Sequence, residues 1–343
     1  MNRLFLLFLA LPLLSGCGAS KTENLYPTEN GKFIMAFGSC NVQDKPNYLW
    51  DDVLKNDPQV WVWGGDNIYA DTYDMREMRK MYEEQRYQKG YREVKDQMLV
   101  TGTWDDHDYG LNDGGEDYEK KEESQDLFLD FMDVPKKHIR RARKGVYSSH
   151  VFPTREGKVR LINLDTRYFR SPLTKNLGEE NKRYMPAKDG RGTILGEEQW
   201  EWLEKELMKS DATFNVIMSS IQVLSDEHGY ETWGNFPHER KRLFDLIEKS
   251  GARGVIIVSG DRHISEFSQI NLEGLPYPLI DFTSSGLNRA WSDFPGEENP
   301  YRVGEVINME SFGLLELDLI QKSATMKMKS NGNLTLQELK QAY

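Results

Sequence analysis

The stretch QVWVWGGDNIY, residues 59–69, contains a strong strand signal followed by potential metal ligands. Its first five residues are bulky and β-prone, which favours a buried strand. The two glycines that follow allow a tight turn and a close approach of the backbone. Asp66 and Tyr69 come directly after the turn, so both are expected at the edge of a sheet. We interpret the stretch as a strand that ends in metal ligands, with an ordinary turn or helix cap as the alternative.

Three further hydrophobic runs end in potential metal ligands. They are followed by the segments at residues 38–40, 104–108 and 259–263, which read GSC, WDDHD and SGDRH. A strand that ends in a carboxylate, thiolate, phenolate or imidazole presents that group at a sheet edge. Four such ends placed side by side can hold two metal ions, so the sequence predicts a dinuclear site.

The segment at residues 104–108 carries three carboxylates around one histidine. Like charges this close must be relieved by protonation, by pairing or by a cation. Because an apolar run leads into the segment, we favour a cation site over a solvated acidic turn. Asp106 is the expected ligand. His107, whose ordinary pKa lies near neutrality, is the expected proton donor to a leaving group.

The segment at residues 259–263 repeats this logic after another apolar strand. Asp261 and His263 are two residues apart, so in an extended segment their side chains lie on the same side and can reach one metal centre. Arg262 between them either contacts phosphate or faces solvent. Arg167, just past a different predicted strand, leaves a similar choice between a buried ion pair and a substrate contact.

The sequence has only two cysteines, Cys17 and Cys40. Cys17 ends the stretch Leu-Ser-Gly-Cys, which resembles the bacterial lipobox, so we expect it to carry lipid. Cys40 then has no partner for a disulfide, although the predicted compartment is oxidising. It is either a buried residue that behaves as a small hydrophobe or a thiolate that binds a metal, and its position after an apolar strand favours the metal.

Residues 1–17 are interpreted as a lipoprotein signal peptide, because the apolar run at residues 4–14 is too short to span a bilayer. A plain signal peptide cleaved nearby is the alternative. Residues 18–32 are polar and are predicted to form a tether, and residues 33–343 a single catalytic domain. The predicted location is the cell envelope, periplasmic or outer-membrane, with lipid on Cys17 as the attachment to the membrane.

The net charge of −11 argues against a duplex nucleic acid partner. It does not argue against small phosphate esters, because bound metal ions invert the local field. One basic run, at residues 136–144, is interpreted as a solvated face, with attraction to anionic head groups as the alternative. The polar loop at residues 226–235 is expected to form a rim over the site, where Trp233 and His228 either select substrates or simply pack.

Predicted strands and helices alternate through the first part of the mature chain, and strands dominate the last third. This order is typical of a mixed α/β layered fold with one partly parallel and one antiparallel sheet. The predicted strands are 32–37, 59–63, 98–103, 146–152, 158–164, 214–218, 255–259, 265–271, 279–283, 312–318, 325–329 and 334–338. The predicted helices are 47–55, 75–96, 126–132, 196–209 and 238–249.

Together and in this order, the four motifs resemble those of the alkaline phosphatase D (PhoD-like) family of calcineurin-like metallophosphoesterases. The resemblance extends over residues 33–320. It implies a layered α/β/β/α metallophosphoesterase sandwich with mixed sheets. It also implies hydrolysis of phosphate esters, as an alkaline phosphatase or phosphodiesterase, by a metal-activated hydroxide. The expected substrate is a small phosphate ester, a phospholipid or a wall polymer.

The resemblance further assigns ligands by position. The implied metals are one Fe³⁺ and one Ca²⁺, and another divalent ion would also suit the second site. The first centre would be built from Cys40, Asp66, Tyr69 and His263. The second, oxygen-rich centre would be built from Asp66, Asp106 and Asp261. The residues expected to act on substrate are His107, Arg167 and Arg262.

One element departs from the general superfamily pattern, which has a histidine after the strand at residues 214–218. Here that strand leads to Ser-Ser-Ile-Gln, so the second metal must accept fewer nitrogen ligands. Two other functions stay open: a non-catalytic metal-containing lipoprotein that binds anionic envelope ligands, and a metal-dependent hydrolase of another bond. The thiolate and phenolate disfavour the latter, because such enzymes usually use His-rich zinc sites.

Overall fold

The computed structural model of the protein describes residues 25–178, 182–188 and 190–343. The predicted signal peptide, Cys17 and the first part of the predicted tether lie outside these ranges. Within them, no helix is both long and apolar enough to cross a membrane.

The described ranges contain thirteen strands and seven α-helices, numbered in chain order. The strands are β1 (Lys32–Gly38), β2 (Val60–Gly64), β3 (Leu99–Thr103), β4 (Ser148–Pro153), β5 (Lys158–Asn163), β6 (Phe214–Ser219), β7 (Val255–Ser259), β8 (Ser265–Ile270), β9 (Leu279–Ser284), β10 (Arg302–Ile307), β11 (Phe312–Asp318), β12 (Ser323–Ser330) and β13 (Leu334–Ala342). The helices are α1 (Trp50–Leu54), α2 (Met75–Tyr87), α3 (Lys89–Gln97), α4 (Asp106–Tyr109), α5 (Lys121–Phe131), α6 (Gly196–Met208) and α7 (Pro237–Ser250).

The strands form two mixed sheets. The first has the order β13-β12-β11-β1-β2-β3 and the second the order β10-β8-β9-β7-β6-β5-β4. Strands β1, β2 and β3 run parallel in the first sheet, and β5, β6, β7 and β9 run parallel in the second. The expectation of one purely antiparallel sheet is therefore wrong, whereas the mixed sheets implied by the family resemblance are confirmed.

The two sheets pack face to face, and helices cover both outer faces. Strand β2 shows the alternation that produces these layers. Val60 and Val62 lie in the apolar cluster between the sheets, whereas Trp61 and Trp63 pack on the other side against helices α1 to α5. Helices α6 and α7 cover the second sheet in the same way. The predicted α/β/β/α sandwich is thus confirmed.

Three elements differ from the sequence-based expectation, and the shortest is the one-turn helix α4, which was not predicted. The helix predicted at residues 75–96 is two helices, α2 and α3, which break at Gln88 because its backbone is extended (ψ 131°). Strand β10 was not predicted. It is a half-exposed edge strand with an irregular register between Val303 and Ile307, so it lacks the apolar alternation from which strands are recognised.

The carboxyl ends of β1, β2, β3 and β7 meet at one edge of the sandwich. Glycines make this approach possible. A β-carbon on Gly260 would lie 2.7 Å from both the carbonyl oxygen of Gly64 and the hydroxyl of Ser39. A β-carbon on Gly65, whose φ is +98°, would collide with Asp105. The turns of the two sheets therefore come together only because these positions carry no side chain.

Candidate metal centre

The turns that follow β1, β2 and β7 share an uncommon backbone conformation. Cys40, Asp66, Asp261 and His263 have φ values of 59°, 51°, 69° and 56°. Non-glycine residues in the left-handed region carry strain, and such residues are concentrated at functional sites. The expectation that Asp261 and His263 lie in an extended segment is therefore wrong. The left-handed turns send their side chains to different ligand groups.

The first ligand group joins Cys40, Asp66 and His263, whose donor atoms lie within 4.8 Å of one another. The Cys40 thiol donates to Asp66 Oδ2 at 3.4 Å, and the Tyr69 hydroxyl donates to the same oxygen at 3.1 Å. His263 Nδ1 donates to the carbonyl of Arg289 at 2.5 Å, which leaves Nε2 to bind a metal. The structure therefore brings together the four residues predicted for the first centre.

Two further ligand groups adjoin the first. One consists of Asp66, Asp106 and His107, and the other of Asp105, Asp106 and Asp261, each with donor atoms within 4.8 Å of one another. Asp66 and Asp106 belong to two groups each. Asp66 could therefore contribute to two metal sites, which stays a prediction. The three residues predicted for the second centre do not form one group, because Asp261 joins Asp105 and Asp106 rather than Asp66. Asp105 was not predicted as a ligand.

The electrostatics of these side chains favour the binding of cations. Burial, reinforced by neighbouring negative groups, raises the pKa values of Cys40, Asp66 and Asp261 well above their ordinary ranges. Burial and the Asp66 carboxylate raise the pKa of the Tyr69 hydroxyl in the same way. A bound cation reverses such shifts, because it stabilises the deprotonated ligands. Metal ions would thus compensate the buried negative charge that this donor set creates.

His107 lies at the rim of the centre with one ring nitrogen anchored. Its ring lies 4.2 Å from that of Tyr69, and its Nδ1 lies 2.6 Å from Asp71 Oδ2. Burial alone would lower the pKa of His107, but the Asp66 and Asp106 carboxylates outweigh it and raise the pKa to about 10. Cations bound to those carboxylates would bring it down again. Asp71 had no sequence signal as a partner.

Arg167 lies in a fully buried ion-pair cluster beside the centre. Its Nε donates to Asp105 Oδ1 at 2.6 Å, and its Nη1 pairs with Glu231, which also pairs with Arg170 at 2.8 Å. Burial alone would raise the pKa of Asp106. Nearby positive charges, of which Arg167 has the largest effect, lower this pKa to about 2. The arrangement matches the buried ion pair that was one of two interpretations, and the Arg167 side chain has no exposed surface.

Arg262 does not face solvent, so that interpretation is wrong. The residue is 5% exposed, because its Nη2 donates to both carboxylate oxygens of Glu297 at 2.7 Å. Its Cζ lies 4.5 Å from the centre of the Tyr230 ring. A contact between Arg262 and phosphate stays a prediction.

Asp108 is the residue that sequence reasoning missed most clearly. Its Oδ1 accepts hydrogen bonds from the backbone amides of Asp105 at 2.7 Å and Asp66 at 3.1 Å. Its Oδ2 accepts from Asn67 Nδ2 at 2.6 Å. One buried carboxylate therefore ties together the turns that carry the ligands of β2 and β3. The sequence shows that residue 108 is a carboxylate but does not indicate which way its side chain points.

The segment where the superfamily carries a histidine supplies hydroxyl groups instead. Ser220 Oγ donates to Asp105 Oδ1 at 2.6 Å, and Gln222 points away to Glu266 and Thr283. This segment therefore supports a carboxylate of the oxygen-rich group and contributes no nitrogen to it.

The two aromatic candidates for substrate selection, both in the loop at residues 226–235, lie in different environments. Trp233 has no exposed surface, and its Nε1 donates to Ser219 Oγ at 3.0 Å, so it packs in the core. His228 instead lines a cleft of about 1060 Å³, together with Tyr230 and Trp291. The Trp291 amide donates to the carbonyl of the predicted ligand His263 at 2.8 Å. This cleft therefore opens beside the metal centre.

Comparison with known proteins agrees with this geometry. A family model described as PhoD-like phosphatase matches residues 35–290. The chain belongs to the PhoD-like phosphatase family. The match includes all the strand ends that carry the predicted ligands.

Individual relatives of this PhoD-like protein are distant. Alkaline phosphatase D of Bacillus subtilis (strain 168) is 27% identical over 161 residues, which are 40% of this chain and 27% of that relative's length. A solved structure of PhoD matches with a TM-score of 0.71 and 16% identity, covering 91% of this chain and 68% of the other. GAP50, the anchor in the inner membrane complex of Plasmodium, matches with a TM-score of 0.57 and 12% identity over 91% of this chain and 89% of its own. These structural likenesses show a shared fold.

Proposed function

We propose that the protein hydrolyses phosphate esters with metal ions bound at this centre. The observation that carries the proposal is the position of Asp66, which belongs to two adjacent ligand groups. A carboxylate shared in this way is characteristic of two-metal phosphoryl chemistry. Membership of the PhoD-like phosphatase family supports the same reaction class.

The two metals are proposed to differ. Cys40, Tyr69 and His263 offer sulfur, phenolic oxygen and nitrogen around Asp66, a set that suits Fe³⁺. The groups that contain Asp106 are rich in carboxylate oxygen, which suits Ca²⁺ or another hard divalent ion. The donor chemistry supports this assignment, and visible absorption of the natively purified protein tests it. A phenolate–iron band that disappears in Tyr69→Phe is expected, and a colourless protein containing zinc alone would contradict it.

Bound metal ions would polarise the phosphoryl oxygens and supply an acidic water as the source of the attacking hydroxide. The side chains of the protein have separate tasks. Asp71 anchors Nδ1 of His107, which directs Nε2 outward as the donor of a proton to the departing oxygen. Arg167 holds Asp105 in place. Arg262 fixes the wall between the ligand turn and the cleft through Glu297. We assign both arginines positioning roles, and a phosphate contact by Arg262 stays a prediction.

The substrate is proposed to be a small phosphate ester, a phospholipid or a wall polymer, and the preference between monoesters and diesters is the first property to measure. The location proposed is the cell envelope, with lipid on Cys17. The support for this location is the lipobox-like sequence at residues 14–17 alone. Radiolabelled palmitate incorporated into the wild-type chain but not into Cys17→Ser would support it, and equal labelling would contradict it.

The activity is tested with a chromogenic phosphate monoester and a bis-aryl phosphate diester, assayed with iron and Ca²⁺. We expect turnover of at least one substrate, and a loss on the order of 100- to 1,000-fold in Asp66→Ala. Asp245→Ala is the matched control, since Asp245 is an exposed aspartate on α7 that pairs with Lys241 and with no other described residue. Full metal occupancy without turnover would contradict the proposal and favour a binding protein.

A further inference from the structure

A second cleft, remote from the metal centre, lies between the free edges of the two sheets. It has a volume of about 420 Å³ and lies between β3 and β4, the terminal strands of their sheets. The short 3-10 helix Ile139–Ala142 and the side chain of Trp202 close it. Among the described residues that line it, none belongs to a ligand group of the candidate metal centre, and Thr101 lies two residues before the end of β3.

Two arginines of the basic run point into this cleft. Arg143 lies flat on an aromatic wall, with its Cζ 3.7 Å from the ring centre of Tyr147 and 5.5 Å from that of Trp202. Its Nε and Nη2 are buried and make no hydrogen bond to any residue in the described ranges. Arg140 uses Nη2 to bind the carbonyl of Val146 at 2.7 Å, but its buried Nε likewise has no partner there.

The carboxylates that line the cleft are already neutralised by other bases. Asp133 pairs with Arg86 at 2.6 Å and with Lys95 at 2.5 Å. Glu206 pairs with Arg160. Among the described residues, no carboxylate forms an ion pair with either arginine of the cleft, although Glu198, Asp165 and Glu206 lie close enough to attract Arg143.

The cleft therefore holds two guanidinium groups that form no salt bridge with a described carboxylate. Burial, together with repulsion by Arg143, lowers the pKa of the Arg140 guanidinium to about 10. Burial and Arg140 lower the pKa of His150, on the wall of the cleft, to about 4. Guanidinium donors that are buried, fixed by stacking and short of partners are suited to a planar or tetrahedral oxyanion.

We propose that this cleft is a second oxyanion site, which binds a phosphoryl group through Arg140 and Arg143. Its occupant is either free phosphate or the phosphoryl group of an ester such as a lipid head group. The surface around its mouth suits the latter, because Ile139 is 75% exposed on a loop that also carries exposed lysines at residues 136, 137 and 144. The site is independent of the function proposed for the metal centre.

The test is a calorimetric titration of the full-length, metal-containing protein with inorganic phosphate. The wild type and Lys137→Gln, which removes an exposed charge of the same loop, are expected to bind one phosphate more per chain than Arg140→Gln/Arg143→Gln. Arg140→Gln alone, which gives up a single hydrogen bond, is expected to weaken that binding at least about 10-fold and serves if the double variant does not fold. Equal phosphate stoichiometry and affinity in the wild type and the arginine variants would overturn the proposal.

A second titration identifies the source of the oxyanion. Propylphosphonate carries an alkyl group on phosphorus, as an ester does, and so represents an esterified phosphoryl group. Its carbon–phosphorus bond is not a phosphate ester, so ester hydrolysis does not consume it during the titration. Tighter arginine-dependent binding of propylphosphonate than of phosphate would support a head group, and the reverse order would support the free ion. Absence of arginine-dependent binding for both ligands would overturn the proposal.

Discussion

His107 Nδ1 lies 2.6 Å from Oδ2 of Asp71. The backbone strengthens this relationship, because the amides of Ala70 and Asp71 both donate to the carbonyl of His107, at 3.2 and 3.3 Å. Asp71 itself is held in the left-handed region, with φ 42°. The imidazole is therefore fixed both through its ring and through its main chain, which leaves Nε2 as the nitrogen that can serve a substrate.

The first prediction concerns this pair. Asp71→Asn should lower kcat about 10-fold, because the ring loses its orienting carboxylate, and should leave KM unchanged. His107→Gln should lose more rate with alkyl phosphates than with nitrophenyl phosphates, since a good leaving group needs no proton. Steady-state kinetics over a series of leaving groups measures both effects. An equal loss for all leaving groups in His107→Gln would contradict the proton-donor role.

The second prediction concerns Asp108, which ties together two ligand turns. Asp108→Ala should weaken metal binding about 10- to 100-fold, because the amides of Asp66 and Asp105 lose their common acceptor. Asp52→Ala is the matched control. Asp52 is equally buried and accepts from the Gly332 amide, but it lies on α1 away from the centre. Competition with a chelator measures the affinity, and equal weakening in both variants would contradict the role of Asp108.

The third prediction concerns the buried charges. Arg167→Met leaves Asp105 and Glu231 without their main partner, so the free energy of unfolding should fall by about 3–5 kcal/mol. The exposed pair between Arg242 and Glu197 provides the control, and Arg242→Met should cost no more than about 1 kcal/mol. Urea unfolding measures both. Similar losses in the two variants would contradict the predicted cost of leaving buried carboxylates unpaired.

The fourth prediction is a dependence of stability on pH through His150, whose Nε2 lies 2.9 Å from Thr101 Oγ1. Its pKa is lowered by burial and by Arg140 to about 4, so the folded state resists protonation and the unfolded state does not. The neutral His150 therefore contributes its full stability above the unfolded pKa of about 6.5. This contribution is lost as the pH falls from about 6.5 to 4, and the total loss is about 3 kcal/mol.

The comparison with His150→Gln isolates this contribution. The difference in unfolding free energy between the wild type and the variant should shift against the wild type from pH 7 to pH 4.5. Urea unfolding at several pH values gives the difference directly. A difference that stays constant over this range would show that His150 titrates alike in both states.

The strands that carry the motifs were predictable because their signals are local. In β2 the alternation of Val60 and Val62 with Trp61 and Trp63 marks a strand buried on both faces, and glycines mark its end. Strand β10 carries no such signal. Its pairing with β8 is set by residues more than thirty positions away, and its faces are half exposed.

The candidate site was predictable as a set of strand ends but not as a geometry. Three carboxylates stand within four residues after β3, and the sequence does not distinguish their directions. The directions of these side chains depend on where helix α4 begins, which is at Asp106. Asp105 turns to Arg167, Asp106 joins the ligand groups, and Asp108 turns back to the Asp66 amide. Glu231, the second partner of Arg167, lies 64 residues further along the chain, so no local pattern indicates it.

If two metal ions share Asp66, the number of metals bound per chain depends on that carboxylate. Elemental analysis of the natively purified protein should find two metal ions per chain in the wild type and in Asp245→Ala. It should find fewer than one in Asp66→Ala, because that substitution removes a ligand from two groups at once. An Asp66→Ala protein that keeps both metals, or a folded wild-type protein that binds none, would contradict the account.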